Sequence, residues 1–270
     1  MSALYIGLMS GTSLDGVDAV LADLASPRPQ VAGHTHRAFT TALREKLQAL
    51  CSSGDDEIHR SQTAAIELAH VYAGLVRTLL NQTGVAAASI KAIGCHGQTV
   101  RHMPAHGYTV QLNAPAILAE ETGICVVSDF RARDLAAGGQ GAPLVPAFHA
   151  SLFGSKDRAR AVLNLGGMAN LTLLESARPV RGFDCGPANV LMDAWIAHRR
   201  GLDYDRDGAW AASGQVDAAL LARLLAHPFF AAPPPKSCGR EQFNLEWLLG
   251  LLPEHIRDED VQATLAELFA

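Results

Sequence analysis

Glycine, hydroxyl and carboxylate residues are concentrated in one short segment near the start of this 270-residue chain. The segment is Gly11-Thr12-Ser13-Leu14-Asp15-Gly16-Val17-Asp18. Glycine lets a backbone approach an anion closely, hydroxyl groups donate hydrogen bonds, and aspartates can hold Mg²⁺ through water. The segment lacks the Gly-x-x-x-x-Gly-Lys-Ser/Thr pattern of a Walker loop. It is therefore a candidate phosphate-binding loop, with a simple glycine/aspartate turn as the alternative.

A second glycine-bearing turn is predicted in the other half of the chain, at Asn164-Leu165-Gly166-Gly167. Its candidate ligand-binding residues are Asn164, Gly166 and Gly167. Two lobes that each present such a loop to a shared cleft could clamp the two ends of a triphosphate. The alternative for this turn is a tight β-turn that binds nothing.

Asp184 is the candidate general base. It lies in Gly182-Phe183-Asp184-Cys185-Gly186-Pro187-Ala188-Asn189, shortly before a predicted helix. A carboxylate near a helix N-terminus is stabilised in its ionised form, and an ionised carboxylate beside a cleft can take a proton from water. The alternative role for Asp184 is that of a plain helix N-cap.

Four polar residues that follow two short apolar runs could bind a sugar: Gln98, Thr99, Arg131 and Asp134. Together they supply the mixed donors and acceptors that sugar hydroxyls require. The Arg131 guanidinium could also pair bidentately with a carboxylate. The alternatives are ordinary polar residues at strand ends and a structural ion pair of Arg131 with Asp134 or Asp129.

Cysteine and histidine chemistry is less well supported by the sequence. The five cysteines are odd in number and widely spaced, which favours reduced thiols over disulfides. Cys95 or Cys185 could be a nucleophile, but no suitably placed base is evident. The histidines lack metal-ligand spacing, so the identity of any metal ligands stays open.

The elements that must position these residues follow from hydrophobic patterning and turn residues. Strands are predicted at Leu4–Met9, Val17–Leu24, Ile90–Cys95, Ile124–Val127, Ala161–Leu165 and Asn170–Leu174, and helices at Ser61–Asn81, from Gly186-Pro187 to about Arg200, and Asp258–Ala270. Each half begins with a hairpin around a glycine-bearing loop. This pattern predicts an α/β protein of two lobes, 1–127 and 128–270.

The composition excludes several classes of protein. With a formal net charge of -5 and no run of Lys or Arg, the chain has no basic surface signature for nucleic acid. No window has the ~18 uninterrupted apolar residues of a membrane span, and the N-terminus lacks the pattern of a secretory signal. We therefore expect a cytoplasmic protein that binds neither membranes nor nucleic acid.

Several unusual strings, in order along the chain, resemble those of anhydro-N-acetylmuramic acid kinases. The first is Gly7-Leu8-Met9-Ser10 followed by the Gly11–Asp18 segment. The others are His96-Gly97-Gln98-Thr99, Asp129-Phe130-Arg131, Gly141-Ala142-Pro143-Leu144-Val145-Pro146, Asn164-Leu165-Gly166-Gly167-Met168-Ala169-Asn170, Phe183-Asp184-Cys185-Gly186-Pro187 and Lys236-Ser237-Cys238-Gly239-Arg240-Glu241. The resemblance spans the whole chain.

The resemblance implies two ribonuclease-H-like lobes of the actin-like ATPase type, a homodimer, and ATP and Mg²⁺ as cofactors. It implies conversion of 1,6-anhydro-N-acetylmuramic acid, ATP and water into N-acetylmuramic acid 6-phosphate and ADP, in peptidoglycan recycling. Gly11–Asp18 would bind ATP and Asp184 would be the base. Because the family continues past the position of Ala270, the second lobe is expected to be incomplete at its C-terminus. The alternatives are a kinase for another sugar, a non-sugar actin-like ATPase, and a cysteine hydrolase.

Overall fold

The computed structural model describes residues 2–270, which form two compact units. The first unit ends at Gly141 and the second is Ala142–Ala270. The lobe boundary predicted from the sequence, between 127 and 128, falls within a short strand that belongs to the sheet of the first unit.

The first unit is built on a five-stranded mixed sheet with an accessory hairpin. Its strands are β1 (Leu4–Met9), β2 (Gly16–Asp23), β3 (Gln30–Ala38), β4 (Ile90–Cys95), β5 (Gln98–Met103), β6 (Tyr108–Leu112) and β7 (Val126–Ser128). The sheet order is β3-β2-β1-β4-β7, and β5 pairs with β6 separately. β2 runs antiparallel to β1 and β3, whereas β4 and β7 run parallel to β1. This order and direction are those of a ribonuclease-H-like lobe, as predicted.

Helices pack on this sheet because their apolar residues recur at helical spacing. They are α1 (Thr41–Ala49), α2 (Glu57–Thr83), α3 (Pro115–Thr122) and α4 (Phe130–Ala136). The face of α2 that includes Leu68, Tyr72 and Leu79 is fully buried against the sheet. α2 ends at Gly84 in the left-handed conformation, as glycine beyond a helix end favours. The predicted helix at Ser61–Asn81 is thus confirmed, with four further residues at its start and two at its end.

The second unit contains an antiparallel three-stranded sheet of order β10-β9-β8. Its strands are β8 (Arg160–Leu165), β9 (Met168–Leu174) and β10 (Arg181–Pro187), and its helices are α5 (Pro146–Phe153), α6 (Asn189–Arg200), α7 (Ala218–Leu225), α8 (Pro228–Ala231), α9 (Leu245–Leu249) and α10 (Asp258–Phe269). Trp195, Phe243 and Val261 lie in its apolar core. The β8–β9 hairpin repeats the β1–β2 hairpin of the first unit, as predicted, but helix α5 precedes it, so the second unit does not begin with its hairpin.

One local prediction is wrong. Pro187 was expected in the first turn of α6, but it is the last residue of β10, and the helix begins two residues later at Asn189. None of the helices described for residues 2–270 combines the length and apolar character needed to cross a bilayer.

Candidate active site

Three loops of the first unit meet at one edge of its sheet. They follow β1, β4 and β7, which are mutually parallel, so their carboxyl ends lie on the same side. Open α/β sheets bind ligands at this edge. The loops carry the Gly11–Asp15 turn, His96-Gly97-Gln98 and Asp129-Phe130-Arg131, so the fold brings these three predicted segments to one place.

The Gly11–Asp15 turn separates its polar from its apolar side chains. Thr12, Ser13 and Asp15 are exposed, and the Ser13 hydroxyl donates to the Asp15 carboxylate over 2.9 Å. Leu14 adopts a left-handed φ of 59° and its side chain is buried in the core. Val17 is buried as well, so Leu14 and Val17 could contact a nucleotide only through their backbone. The exposed hydroxyls and carboxylate are a donor set that fits phosphate and Mg²⁺.

Gln98 holds the Gly11 loop in place rather than facing solvent. Its side chain is completely buried, and Nε2 donates to the carbonyl of Gly11 over 3.1 Å. Its Oε1 has no hydrogen-bond partner in the described chain. The Ser10 hydroxyl adds a second link between the same two loops by donating to the Gly97 carbonyl over 3.2 Å. The loop after β1 is therefore braced by the loop after β4.

His96 and Arg131 form a fixed pair at the ends of β4 and β7. His96 Nδ1 donates to the Gly97 carbonyl over 2.7 Å, so Nε2 is the acceptor, and it receives the Arg131 Nε–H at 2.8 Å. This arrangement requires a neutral imidazole ring. Burial, together with the charge of Arg131, lowers the pKa of His96 to about 4. The same two causes lower the pKa of His102 to about 4.

These lowered pKa values predict a loss of stability in mild acid. Between pH 6.5 and about 4 the unfolded His96 ring binds a proton that the folded ring excludes, so the free energy of unfolding falls as pH falls. The shift in pKa corresponds to ~3 kcal/mol for His96. Urea unfolding at several pH values should show this loss, and His96→Gln should be less stable at pH 7 but lose less between pH 6.5 and 4.

His59→Gln is the matched control, because His59 is an exposed histidine on α2. It should show the same loss in acid as the wild type. If the free energy of unfolding falls equally steeply for His96→Gln and the wild type between pH 6.5 and 4, the assignment of a neutral, buried His96 is contradicted.

Arg131 and Asp134 are joined through the backbone of Gly141. Arg131 Nη1 donates to the Gly141 carbonyl over 2.7 Å, and the Gly141 amide donates to Asp134 Oδ2 over 2.8 Å. Thr99 is held by a separate contact, in which Gln111 Nε2 donates to its hydroxyl over 3.1 Å. The structure thus connects Arg131 to Asp134 and Gln98 to Gly11, while Thr99 belongs to the β5–β6 hairpin.

Asp18 lies in β2, beyond the turn itself. Its Oδ1 is 2.9 Å from His34 Nε2 and 3.2 Å from His36 Nδ1, both on the neighbouring strand β3. Nowhere in residues 2–270 do three or more His, Cys, Asp or Glu side chains form a cluster that could hold a metal ion. Protein Mg²⁺ sites often use only one or two carboxylates plus substrate phosphates, and the exposed Asp15 carboxylate is compatible with such a site.

In the second unit, Asp184 lies within a strand rather than at a helix cap. It is on β10, four residues before the α6 N-cap residue Ala188. The antiparallel register places Asp184 opposite Asn170, and Asn170 opposite Asn164. Directly opposed residues share a face of the sheet. A row of two carboxamides and one carboxylate therefore crosses all three strands, and Asn170 Oδ1 is buried without a partner among the described residues.

Asp184 is 5% exposed and is held by a segment more than fifty residues away in sequence. The Cys238 amide donates to Asp184 Oδ2 over 3.0 Å, and the Asp184 amide donates to the Lys236 carbonyl, also over 3.0 Å. A carboxylate that accepts a backbone N–H is favoured in its ionised form. Burial of the carboxylate acts in the opposite direction, so the two bonds establish the fixed orientation that a general base requires.

The Gly166-Gly167 turn lies against the start of α6. The Gly167 carbonyl accepts the amides of Ala188 and Val190, at 2.9 and 3.2 Å, and the Gly166 carbonyl accepts the amide of Asn189 at 3.0 Å. These bonds satisfy amides that a helix start otherwise leaves open. A phosphate bound at this turn would have to use donors other than these three amides.

Three of the cysteines, Cys95, Cys185 and Cys238, are poor nucleophiles in this fold. Burial raises the pKa of Cys95 to about 11, and burial is also the main cause that raises the pKa of Cys185 and of Cys238. The thiolate is the reactive form, and little of it would be present at neutral pH. A cysteine hydrolase centred on Cys95 or Cys185 is therefore disfavoured.

Comparison with known proteins identifies the family. The sequence model of the family described as "Anhydro-N-acetylmuramic acid kinase" matches residues 3–270. The chain belongs to this family. An anhydro-N-acetylmuramic acid kinase of Bordetella parapertussis is 58% identical over 272 residues, which cover 99% of this chain and 72% of that protein. One of Cupriavidus metallidurans is 54% identical over 280 residues, covering 100% of this chain and 74% of that protein.

A solved structure with a distant resemblance illustrates the fold comparison. A Ppx/GppA family member from Aquifex aeolicus aligns over 99% of this chain and 88% of its own, with 12% identity and a TM-score of 0.37. The strand order β3-β2-β1-β4-β7 of the first unit is the observation that defines its fold. As members of a kinase family, proteins of this kind use a nucleotide.

The structure places beside the predicted residues others that the sequence did not single out. They are Asn170, which lies between Asn164 and Asp184, His96, which orients Arg131, and Lys236 with Cys238, which hold Asp184. The only sequence signal was their presence in the family strings. Their contacts depend on strand register and on a chain reversal that no local pattern specifies.

Proposed function

We propose that this protein is a phosphotransferase that opens 1,6-anhydro-N-acetylmuramic acid with water and phosphorylates its O6. The products are N-acetylmuramic acid 6-phosphate and ADP, and the pathway is peptidoglycan recycling. The name of its close relatives and the family match support this substrate. The observation that carries the mechanism is the buried, backbone-held carboxylate of Asp184 in the second unit.

A single base is enough for this reaction because of how the leaving oxygen is captured. Ordinary glycoside hydrolysis needs one carboxyl group to protonate the leaving oxygen and a second to act as base or nucleophile. Here the leaving oxygen is O6 of the same sugar, and it takes the γ-phosphoryl group of ATP instead of a proton. Asp184 then needs only to accept a proton from the water that attacks C1. Attack opposite to the leaving oxygen inverts the configuration at C1.

The Gly11–Asp18 loop is proposed to bind the phosphates of ATP. Thr12 and Ser13 present exposed hydroxyl donors, and Asp15 presents the carboxylate that would hold Mg²⁺ through water. When bound, Mg²⁺ would neutralise charge that develops on the transferred phosphoryl group. Gln98 keeps the loop in position from beneath, through its bond to the Gly11 carbonyl. In the second unit, Asn164, Gly166 and Gly167 are proposed as further nucleotide contacts.

Arg131 is proposed to recognise the lactyl carboxylate of the sugar. Its bonds to His96 and Gly141 fix the plane of the guanidinium, and a fixed plane favours bidentate pairing with a carboxylate. Asp134 fixes the other side of Gly141, and Thr99 supplies a hydroxyl close to Gln98 in sequence. We propose further that the protein works as a cytoplasmic homodimer and does not bind nucleic acid. The net charge of -5 supports the last point.

Product analysis tests this function directly. The protein is mixed with 1,6-anhydro-N-acetylmuramic acid and Mg²⁺-ATP, and the products are followed by mass spectrometry and ³¹P and ¹H NMR. We expect one phosphomonoester at O6, one ADP per sugar, and an inverted anomer at C1 at the earliest times.

Two parallel reactions separate the alternatives. N-acetylglucosamine and glucose in place of the anhydro sugar test for a kinase of another sugar, and ATP alone tests for a non-sugar ATPase. Faster phosphorylation of another sugar, or ATP hydrolysis that no sugar changes, would overturn the assigned substrate.

A further inference from the structure

The segment Lys236–Cys238 runs beside β10 and holds Asp184 at two points. The Lys236 carbonyl accepts the Asp184 amide, and the Cys238 amide donates to Asp184 Oδ2, both at 3.0 Å. The first bond fixes the backbone of Asp184 and the second fixes its carboxylate. The position of the carboxylate therefore depends on where this segment lies.

The segment is anchored by the ammonium group of Lys236. Lys236 Nζ donates to the carbonyls of Phe229 and Phe230, over 3.0 and 3.3 Å, and lies 4.5 Å from the centre of the Phe229 ring. Phe229 is buried. A half-buried ammonium with two carbonyl partners and an aromatic face has a well-defined position.

The same phenylalanine pair also contacts the backbone of β10. Gly186 has a left-handed φ of 149°, and a Cβ built there would lie 2.8 Å from Cε1 of Phe230. The Phe230 ring thus packs directly on the strand two residues after Asp184. Lys236 therefore links two groups that contact β10: the segment that binds Asp184 and the ring that covers Gly186.

We propose that Lys236 is a positioning residue for the base Asp184. Its ammonium group keeps the Lys236–Cys238 segment in register with β10, so that the Cys238 amide points at the carboxylate. This amide both restricts the rotamer of Asp184 and stabilises its ionised form. The proposal rests on Asp184 being the base in the proposed function, but the geometry that it explains is independent of the substrate.

The test compares Lys236→Met, which keeps the length of the side chain but removes the ammonium group, with the wild type. We expect kcat to fall roughly 10- to 100-fold because the base is misplaced, with KM for ATP and for the sugar unchanged. The apparent pKa below which kcat falls in acid should rise by about one unit, because a donor to the carboxylate is lost. Lys236→Arg, which keeps charge and donors, should restore most of the activity.

Lys156→Met is the matched control, because Lys156 is an exposed lysine of the same unit. It should leave kcat, KM and the pH profile unchanged. Lys236→Gln keeps a hydrogen-bond donor without the charge and replaces the methionine variant in this test if that variant does not fold. It should change kcat and the apparent pKa of the acid limb in the same direction as Lys236→Met, by a smaller amount. If Lys236→Met has the same kcat and the same apparent pKa in acid as the Lys156→Met control, the proposal is overturned.

A readout without substrate separates this proposal from the proposed function. The Asp184 carboxyl carbon can be titrated by ¹³C NMR, with its signal assigned from Asp184→Asn. The pKa of Asp184 should be higher in Lys236→Met than in the wild type, even if the natural substrate proves to be a different sugar. An unchanged titration would overturn the positioning role, whatever the product analysis shows.

Discussion

Replacing Asp184 by asparagine is expected to lower kcat about 1000-fold while leaving KM for both substrates nearly unchanged. General base catalysis contributes roughly 10²- to 10⁴-fold, and a carboxamide cannot accept the proton from water. The replacement has almost the same shape, and its carbonyl oxygen can still accept the Cys238 amide, so the fold should be retained. A loss in kcat without a change in KM identifies a group that acts in the transition state.

The measurement is steady-state kinetics of ADP release with the anhydro sugar between pH 5 and 9. The wild type should lose activity in acid as Asp184 becomes protonated, whereas the residual rate of Asp184→Asn should lack this acid limb. Asp157→Asn, at an exposed aspartate of the same unit, is the control and should behave as the wild type. If kcat for Asp184→Asn is within about threefold of the control, another residue must be the general base.

Local patterns were sufficient to predict the elements that carry the loops. The strand Ile90–Cys95 and the helix end at Gly84 were predicted from apolar runs and a terminating glycine, and the structure has them there. Such signals are short-range, because a strand or a helix end depends on residues within one or two turns. Pro187 was misplaced because β10 is an edge strand, where proline is tolerated, and strand order cannot be predicted from a local pattern.

The contacts that define the candidate site were harder to predict. The polar type of Gln98 suggested a sugar ligand, yet its side chain is fully buried beneath the Gly11 loop. Asp184 was expected beside helix amides, yet its partner is the amide of Cys238, fifty-four positions later. Residue types indicate what chemistry is possible, whereas the direction of a side chain depends on register and tertiary packing.

Gly16→Ala is expected to weaken both the first unit and its nucleotide site. A Cβ at Gly16 would lie 2.9 Å from Cα of Ala38 and closer still to the carbonyl oxygen of Arg37, so β3 would have to move away from β2. Overpacking of this kind costs about 1–3 kcal/mol. Because Gly16 follows Asp15 directly, the displaced strand would also carry the Gly11–Asp15 turn out of position. Thermal unfolding and titration with Mg²⁺-ATP measure the two effects.

Gly7→Ala provides the matched control, because Gly7 lies on the adjacent strand β1 and a Cβ there meets no heavy atom of the described chain within 4 Å. The added methyl group should be neutral or slightly stabilising, since glycine loses more backbone entropy on folding than alanine. We expect Tm to fall by several degrees in Gly16→Ala alone, at about 2–4 °C per kcal/mol, with nucleotide affinity at least tenfold weaker. Equal Tm and equal affinity in the two variants would show that β3 can shift without loss of stability. They would also show that the position of the Gly11–Asp15 turn does not depend on the pairing of β2 with β3.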